Sequence, residues 1–425
     1  MRRQRGLVGL MGLAALVGLG LARPAAAAVT TEQSASILVF PKVISDGTRD
    51  TIIQITNTSN NMRHAHCFYV NGALTNPSLP VGPLNPPLWT EIDFDIWLTK
   101  QQPTHWVVST GRLDNPTERN CRGGTMCATG PVCVGGASDG KPCPNGASDC
   151  AGGTCVPKQS GTDQADCCDA GFDPGRVPPV VPGFTGELKC IEVDQGGFPV
   201  PGNALKGEAT LEDIGSGDVS KYNAVGLKGF DTNNMDNILC LGGGVTEQCP
   251  NGAEYEGCPA TWILDHPATF APDRVVEQQS FCTTHPCSEV TTNITVVPCT
   301  ENFETQTPPP ITLQFKVYNE YEQFFSASTT FTCWGSFDLG SDDPLANGIN
   351  SIFKTVNVGG EILQGFVRSS SGTPGGVMIV IEETHKDNAV GHGFTAKNAQ
   401  NGVTSFQDQA AQDIITIPAD QIQQQ

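Results

Sequence analysis

His64 and His66 stand two residues apart in the run HAHCFYV. Alternate side chains of an extended strand share a face, so both imidazoles can supply ligands to one zinc or copper ion. His266, His285, His385 and His392 are available as a third ligand, but no spacing places them nearby. A histidine pair of this kind is more often solvated or partly packed on an outer face. Asp93 and Asp95 repeat the pattern and could form the acid/base pair of a glycosidase. Alternating aspartates on an open strand face more commonly serve solvation. Asp231-TNNM-Asp236-Asn237 and Gly340-Ser341-Asp342-Asp343 offer oxygens to calcium, without the spacing of a helix–loop–helix calcium site. No other cofactor is expected. The chain has no Gly-x-Ser-x-Gly, no phosphate-binding Gly-rich loop with lysine and no His-Glu-x-x-His.

The 17 cysteines form two populations. Cys121, Cys127, Cys133, Cys143, Cys150, Cys155, Cys167 and Cys168 crowd into 48 residues that carry almost no large apolar side chain. Such a segment cannot build a core, so disulfides must hold it in an oxidising compartment. The spacings are mostly too long for the paired ligands of a zinc site. The other nine are Cys67, Cys190, Cys240, Cys249, Cys258, Cys282, Cys287, Cys299 and Cys333. Cys67, Cys190 and Cys333 lie in strand-like runs and are candidate staples between strands. Cys282 and Cys287 are spaced for a local loop bridge, and Cys299 is a further candidate. Cys240, Cys249 and Cys258 fall in glycine-rich turns. Nine is odd, so one thiol is free, pairs into the crowded segment or links to a partner.

Strands must position these groups. Ile92, Phe94, Ile96 and Leu98 alternate with Glu91, Asp93, Asp95 and Trp97, as do Ile311, Leu313, Phe315 and Val317 with their polar neighbours. Further strands are expected at 37–40, 51–56, 65–70, 106–110, 188–193, 293–297, 331–334 and 414–417. Val377 to Ile381 is apolar throughout and should be covered on both faces. Only 404–411 hints at helix. Many short strands with Gly/Pro punctuation (48 Gly and 31 Pro) and no βαβ alternation predict an all-β protein. The expected architecture is two antiparallel β-sandwich units, immunoglobulin-like or jelly-roll-like. The first covers 29–215, interrupted by a Cys/Gly/Pro-rich insert at 112–182, and the second covers 216–425.

The stretch Cys133-VGGASDGKP-Cys143-PNGASD-Cys150-AGGT-Cys155 resembles Dickkopf-like or colipase-like cysteine-rich repeats. That resemblance implies a disulfide knot and no particular ligand. Asp50-TIIQITNTSN-Asn61, followed by His64-AHCFYVNG, resembles the opening strands of bacterial immunoglobulin-like extracellular domains. SILVFPKV, DFDIWLTKQQPTHW and VYNEYEQFFSAS are similar to segments of bacterial secreted proteins with no activity attached.

Residues 1–28 have the form of a secretory signal. Arg2, Arg3 and Arg5 precede an uncharged apolar run from Gly6 to Leu21, and Pro24 precedes four alanines, with cleavage expected near Ala28. The 425-residue chain carries 24 Lys+Arg against 44 Asp+Glu, a net charge of −20, which becomes −24 without the signal's four arginines. That acidity excludes a nucleic-acid partner of the usual kind, because phosphate binding needs a concentrated positive face. No transmembrane segment is expected after signal removal. The leading expectation is an exported, disulfide-stabilised, non-enzymatic protein, secreted, periplasmic or at the cell surface. It would bind an extracellular protein or glycan, or build structure. The alternatives are a secreted carbohydrate-active hydrolase and a periplasmic metal-binding protein using His64 and His66.

Overall fold

A computed structural model describes residues 31–113 except 77 and 80–84, then 132–134, 148, 154–156, 173–269 except 195 and 231–235, and 271–272. It continues through 289–341 except 307–309, 351–369, 375–386, 395–404 except 402, and 412–418. The predicted signal, Cys282, Cys287, His285, His392 and most of the crowded cysteines lie outside the described residues. So do the calcium candidates Asp231, Asp342 and Asp343, and most of the helical hint at 404–411.

Alternation becomes strand wherever it is long. The first sheet runs β11 (Val225–Leu227), β1 (Ile37–Ser45), β8 (Phe184–Val193), β3 (Arg63–Asn71) and β4 (Thr90–Leu98). The second runs β10 (Val219–Asn223), β9 (Leu205–Asp213), β2 (Arg49–Asn57) and β5 (Pro103–Val107). A third, small sheet places β24 (Asp413–Thr416) between β12 (Ile238–Leu241) and β16 (Glu301–Asn302). The fourth orders β18 (Phe324–Thr332), β17 (Pro310–Asn319), β20 (Ile362–Ser369), β13 (Thr261–Pro267) and β23 (Val403–Thr404). The fifth orders β14 (Ala271–Pro272), β15 (Glu289–Pro298), β21 (Val377–Lys386) and β22 (Thr395–Asn401), with β19 (Gly335–Asp338) also on β15. A separate ribbon pairs β6 (Val132–Val134) with β7 (Thr154–Val156).

The protein is therefore all-β, but the expected pair of β-sandwich units, immunoglobulin-like or jelly-roll-like, is overturned. Five small sheets in a propeller-like, five-bladed arrangement take their place. The physical reason lies in the first sheet, whose strands β1, β3 and β8 are buried almost throughout. One face gives Leu38, Phe40, Tyr69 and Leu188 to a core shared with Ile53, Ile55 and Leu211 of the second sheet. The opposite face gives Ile37, Val39, Phe68 and Ile191 to a larger core that extends through Trp262, Leu313 and Ile379 to Ile417. The larger core thus takes side chains from strands on both sides of residue 215. Alternation reports which side of a strand is buried, and it is silent about the partner strand.

Val377 to Ile381 is buried at every position, between β15 and β22. Cys67 on β3 and Cys190 on β8 are directly opposed and form a disulfide, with Cα atoms 4.0 Å apart. Cys240–Cys249 and Cys258–Cys299 are also closed. Cys155 is disulfide-bonded and stands opposite Cys133 in the β6–β7 ribbon. Cys333, a candidate staple, is corrected: it is a free, buried thiol. A strand-like apolar setting suits a reduced cysteine as well as half a disulfide. Cys333 also adopts a left-handed φ of 68° at the turn from β18 into β19, which ends the expected 331–334 strand early.

Candidate functional site

β4 is an edge strand, and β3 pairs with it so that His64 faces Trp97 and His66 faces Asp95. Each ring has partners of its own. His64 stacks on Trp97 with centroids 3.8 Å apart, and its Nε2 lies 2.7 Å from Asp95 Oδ1. Its Nδ1 lies 2.9 Å from the carbonyl oxygen of Asp194, which can only accept, so that nitrogen carries a proton. His66 stacks on Phe68, and its Nε2 lies 3.2 Å from Asp93 Oδ2. The two aspartates considered as an acid/base pair are thus each engaged by one histidine. The hydrogen bond from His66 holds the Asp93 carboxyl below its ordinary range against the opposing effect of burial. Next on the same face, burial and then the Asp93 charge push Glu91 up to about 8.

His266 and His385 stand on the fourth and fifth sheets, on β13 and β21. Among the described residues, the grouping of metal-ligand atoms close enough to share an ion is Cys258, Cys299 and Asp413. Its two sulfurs are joined as a disulfide and offer no thiolate. The Asp413 carboxylate accepts from Thr300 Oγ1 at 2.6 Å and from the Gly376 amide at 3.1 Å. Burial pushes it up to about 7.

At the His64 end of this row lies an open recess of about 600 Å³, walled by Arg63, His64, Trp97, Asp194 and Pro201. Beneath it sits the buried Glu192, whose Oε1 is 3.2 Å from Arg63 Nε and whose Oε2 accepts from the Ala204 amide at 3.2 Å. Gly202 makes room for this carboxyl, since a Cβ there would lie 1.9 Å from Oε1. Burial pushes Glu192 up to about 7, against the downward pull of Arg63. Because this value lies above the ordinary 4.5, the group's contribution to stability is complete below about 4.5 and is lost as pH rises through about 7. Glu192→Gln should therefore gain stability relative to the parent between pH 5 and pH 8. Thermal melts of both proteins at the two pH values test this, and a pH-independent difference would refute it.

A second cleft, of about 570 Å³, opens where the end of the first sheet meets the β18–β19 turn. Leu74, Leu88, Phe331, Trp334 and Phe337 supply its apolar wall. Trp334 packs on Gly72, where a Cβ would come within 2.5 Å of the Trp334 Cβ, and its Nε1 donates to the Pro41 carbonyl at 2.8 Å. Asp46 is the acidic group in the wall, and its Oδ1 accepts from the Thr48 and Arg49 amides, both at 2.8 Å. An apolar, aromatic cleft with a few fixed polar atoms is suited to holding a ligand. No local pattern in the sequence marks it, because its lining residues come from segments far apart in the chain.

A buried charge centre was also missed. Lys189, Glu187 and Glu301 are fully buried. Lys189 Nζ lies 2.8 Å from Glu187 Oε2 and 3.1 Å from the Pro298 carbonyl, and it also contacts Glu301 Oε2. Burial and then the Glu187 charge hold the Glu301 carboxyl well above its ordinary range. Burial likewise pushes the nearby Cys333 thiol well up, which makes it a poor nucleophile.

No protein-family model matches the chain, and no curated protein matches it. A solved structure of broad bean stain virus aligns over 94% of this chain and 95% of that chain, at 9% identity and a TM-score of 0.12. Overlap that poor carries no argument about fold or function. Among the described residues, no helix is long and apolar enough to cross a membrane.

Proposed function

We propose that this protein works outside the cytoplasm, as a disulfide-stapled β scaffold that binds an extracellular protein or glycan or builds structure, rather than as a catalyst. The observation that carries the reading is the Cys67–Cys190 bridge, whose two cysteines are wholly buried between paired strands of the core. A bridge in that position suits a chain that folds where thiols are oxidised. Two features support binding over turnover. His64, in the first recess, bonds a carboxylate and a backbone carbonyl rather than a hydroxyl or thiol nucleophile. The apolar cleft beside Trp334 has as its acid Asp46, which is already engaged by backbone amides.

The test compares protein directed to a bacterial periplasm with protein made in a reducing cytoplasm. The expected result is a non-reducing peptide map of the exported form that shows Cys67–Cys190, Cys240–Cys249 and Cys258–Cys299, with a higher melting temperature than the reduced form. Equal stability of a fully reduced protein would sink the compartment assignment. For binding, a glycan array and an immobilised surface extract should retain the parent protein and lose the Trp334→Ala variant. Retention of both equally would remove the cleft from the proposal.

A further inference from the structure

β1 carries an irregularity between Phe40 and Val43, where its register against β8 shifts. Such a shift re-aims side chains, and here it falls at Pro41 and Lys42. Tyr222 clamps the site, since its hydroxyl donates to the Lys42 carbonyl at 2.6 Å and accepts from the Lys42 amide at 3.1 Å. The Lys42 side chain is 2% exposed and reaches the fifth sheet, where Asn293 stands directly between Glu382 and Asp338.

The contacts around Asn293 are those an acyl transfer would need. Lys42 Nζ lies 2.7 Å from Asn293 Oδ1 and 2.8 Å from Glu382 Oε2. The same Asn293 Oδ1 accepts from Ser336 Oγ at 3.1 Å and from Thr295 Oγ1 at 3.2 Å, two fixed donors on the oxygen where negative charge would develop. Asn293 Nδ2 donates to Asp338 Oδ1 at 2.8 Å, on the exposed side, where a leaving nitrogen has access to water. Glu382 is itself fixed, by Ser220 Oγ at 2.8 Å and by both terminal nitrogens of Arg49.

We propose that Lys42 and Asn293 become joined by an intramolecular amide bond between their side chains. The Lys42 ammonium gives one proton to the Glu382 carboxylate, and the freed Nζ lone pair attacks Asn293 Cγ. The carbonyl electrons move onto Oδ1 between the Ser336 and Thr295 hydroxyls and then return, breaking the Cγ–Nδ2 bond. The departing nitrogen takes up the second proton of Nζ and the proton held on Glu382, and it leaves as ammonium past Asp338. Glu382 ends as it began, and no oxidant or second reactant is consumed. Two physical conditions favour the step. The reacting groups are held in contact by the fold rather than by collision. Burial also lowers the Lys42 ammonium below the usual lysine range, despite the opposing charge of Glu382, whereas Lys42 and Arg49 together hold the Glu382 carboxyl well below its own range and work against its taking the proton. The bond would tie β1 covalently to β15, across the interface of the first and fifth sheets.

The test is a peptide map of the folded full-length protein after denaturation, reduction, alkylation and trypsin. The expected product joins the peptide that ends at Arg49, uncut at Lys42, to the peptide 275–316, with a mass lower than their sum by one ammonia, about 17 Da. Asn293→Ala should yield both peptides separately, with normal cleavage after Lys42. A parent protein whose Lys42 appears only in linear, cleaved peptides overturns the proposal without reference to any variant. A linked Lys42 that persists in Asn293→Ala overturns it as well.

Discussion

Replacing Lys189 alone with methionine is expected to cost the fold about 3–5 kcal/mol. The ammonium lies against Glu187 and Glu301 and accounts for a hydrogen bond to the Pro298 carbonyl, all without solvent. Removing it leaves two carboxyl groups buried with no cation, and Glu187 Oε1 and Glu301 Oε1 already lack a hydrogen-bond partner. The triple variant Lys189→Met/Glu187→Leu/Glu301→Leu should behave in the opposite way. It removes every desolvated charge together, and exchanges of that kind are neutral or stabilising by about 1–4 kcal/mol. Urea denaturation midpoints of the three proteins decide the matter. A single variant as stable as the parent, or a triple variant worse than the single, would show that the centre is not held by its charge balance.

The second large effect concerns Cys67–Cys190. The bridge spans a sequence separation of 123, so it constrains the unfolded chain far more than Cys240–Cys249, which spans 9. On chain-entropy grounds, loss of the long bridge costs about 5 kcal/mol and loss of the short one about 3 kcal/mol. Cys67→Ala/Cys190→Ala should therefore lower stability more than Cys240→Ala/Cys249→Ala, measured by denaturant titration without reductant. The reverse order would mean that native packing, not loop closure, sets the contribution of these bridges. The segment 112–182 lies wholly inside the long loop. In the Asn293→Ala variant, which cannot form the amide link, a single engineered protease site within that segment should accordingly give two fragments that part under denaturing conditions only on reduction.

Element type was legible in the sequence, but partnership was not. The alternation of Ile92 to Leu98 and of Ile311 to Val317 produced β4 and β17, because a half-buried strand must alternate. The inner strands β1, β8 and β3 of the first sheet are covered on both faces, and that depends on strands more than a hundred residues away in sequence. The same limit applies at the candidate site. His64, His66, Asp93 and Asp95 were each placed on a strand face, but their pairing follows from the β3–β4 register, which no local pattern specifies. Glu187 and Lys189 flank Leu188 with nothing in the local pattern to mark them as interior, and the Glu301 that docks against Lys189 is 112 residues further along the chain. Lys42 and Asn293 carried no signal, since their meeting depends on a shift in β1 register and on sheet packing at long range.

The position of β24 bears on how the molecule comes into being. Residues 413–416 pair with residues 238–241 on one side and 301–302 on the other. Ile415 and Ile417 then enter the larger core, and Asp413 closes over Gly376. That core cannot be completed until these late residues have been synthesised. Contacts so distant in sequence form slowly, because the loop between them must close before any packing is gained. Until residues 413–417 are added, the larger core thus stays open on the side that β24 closes.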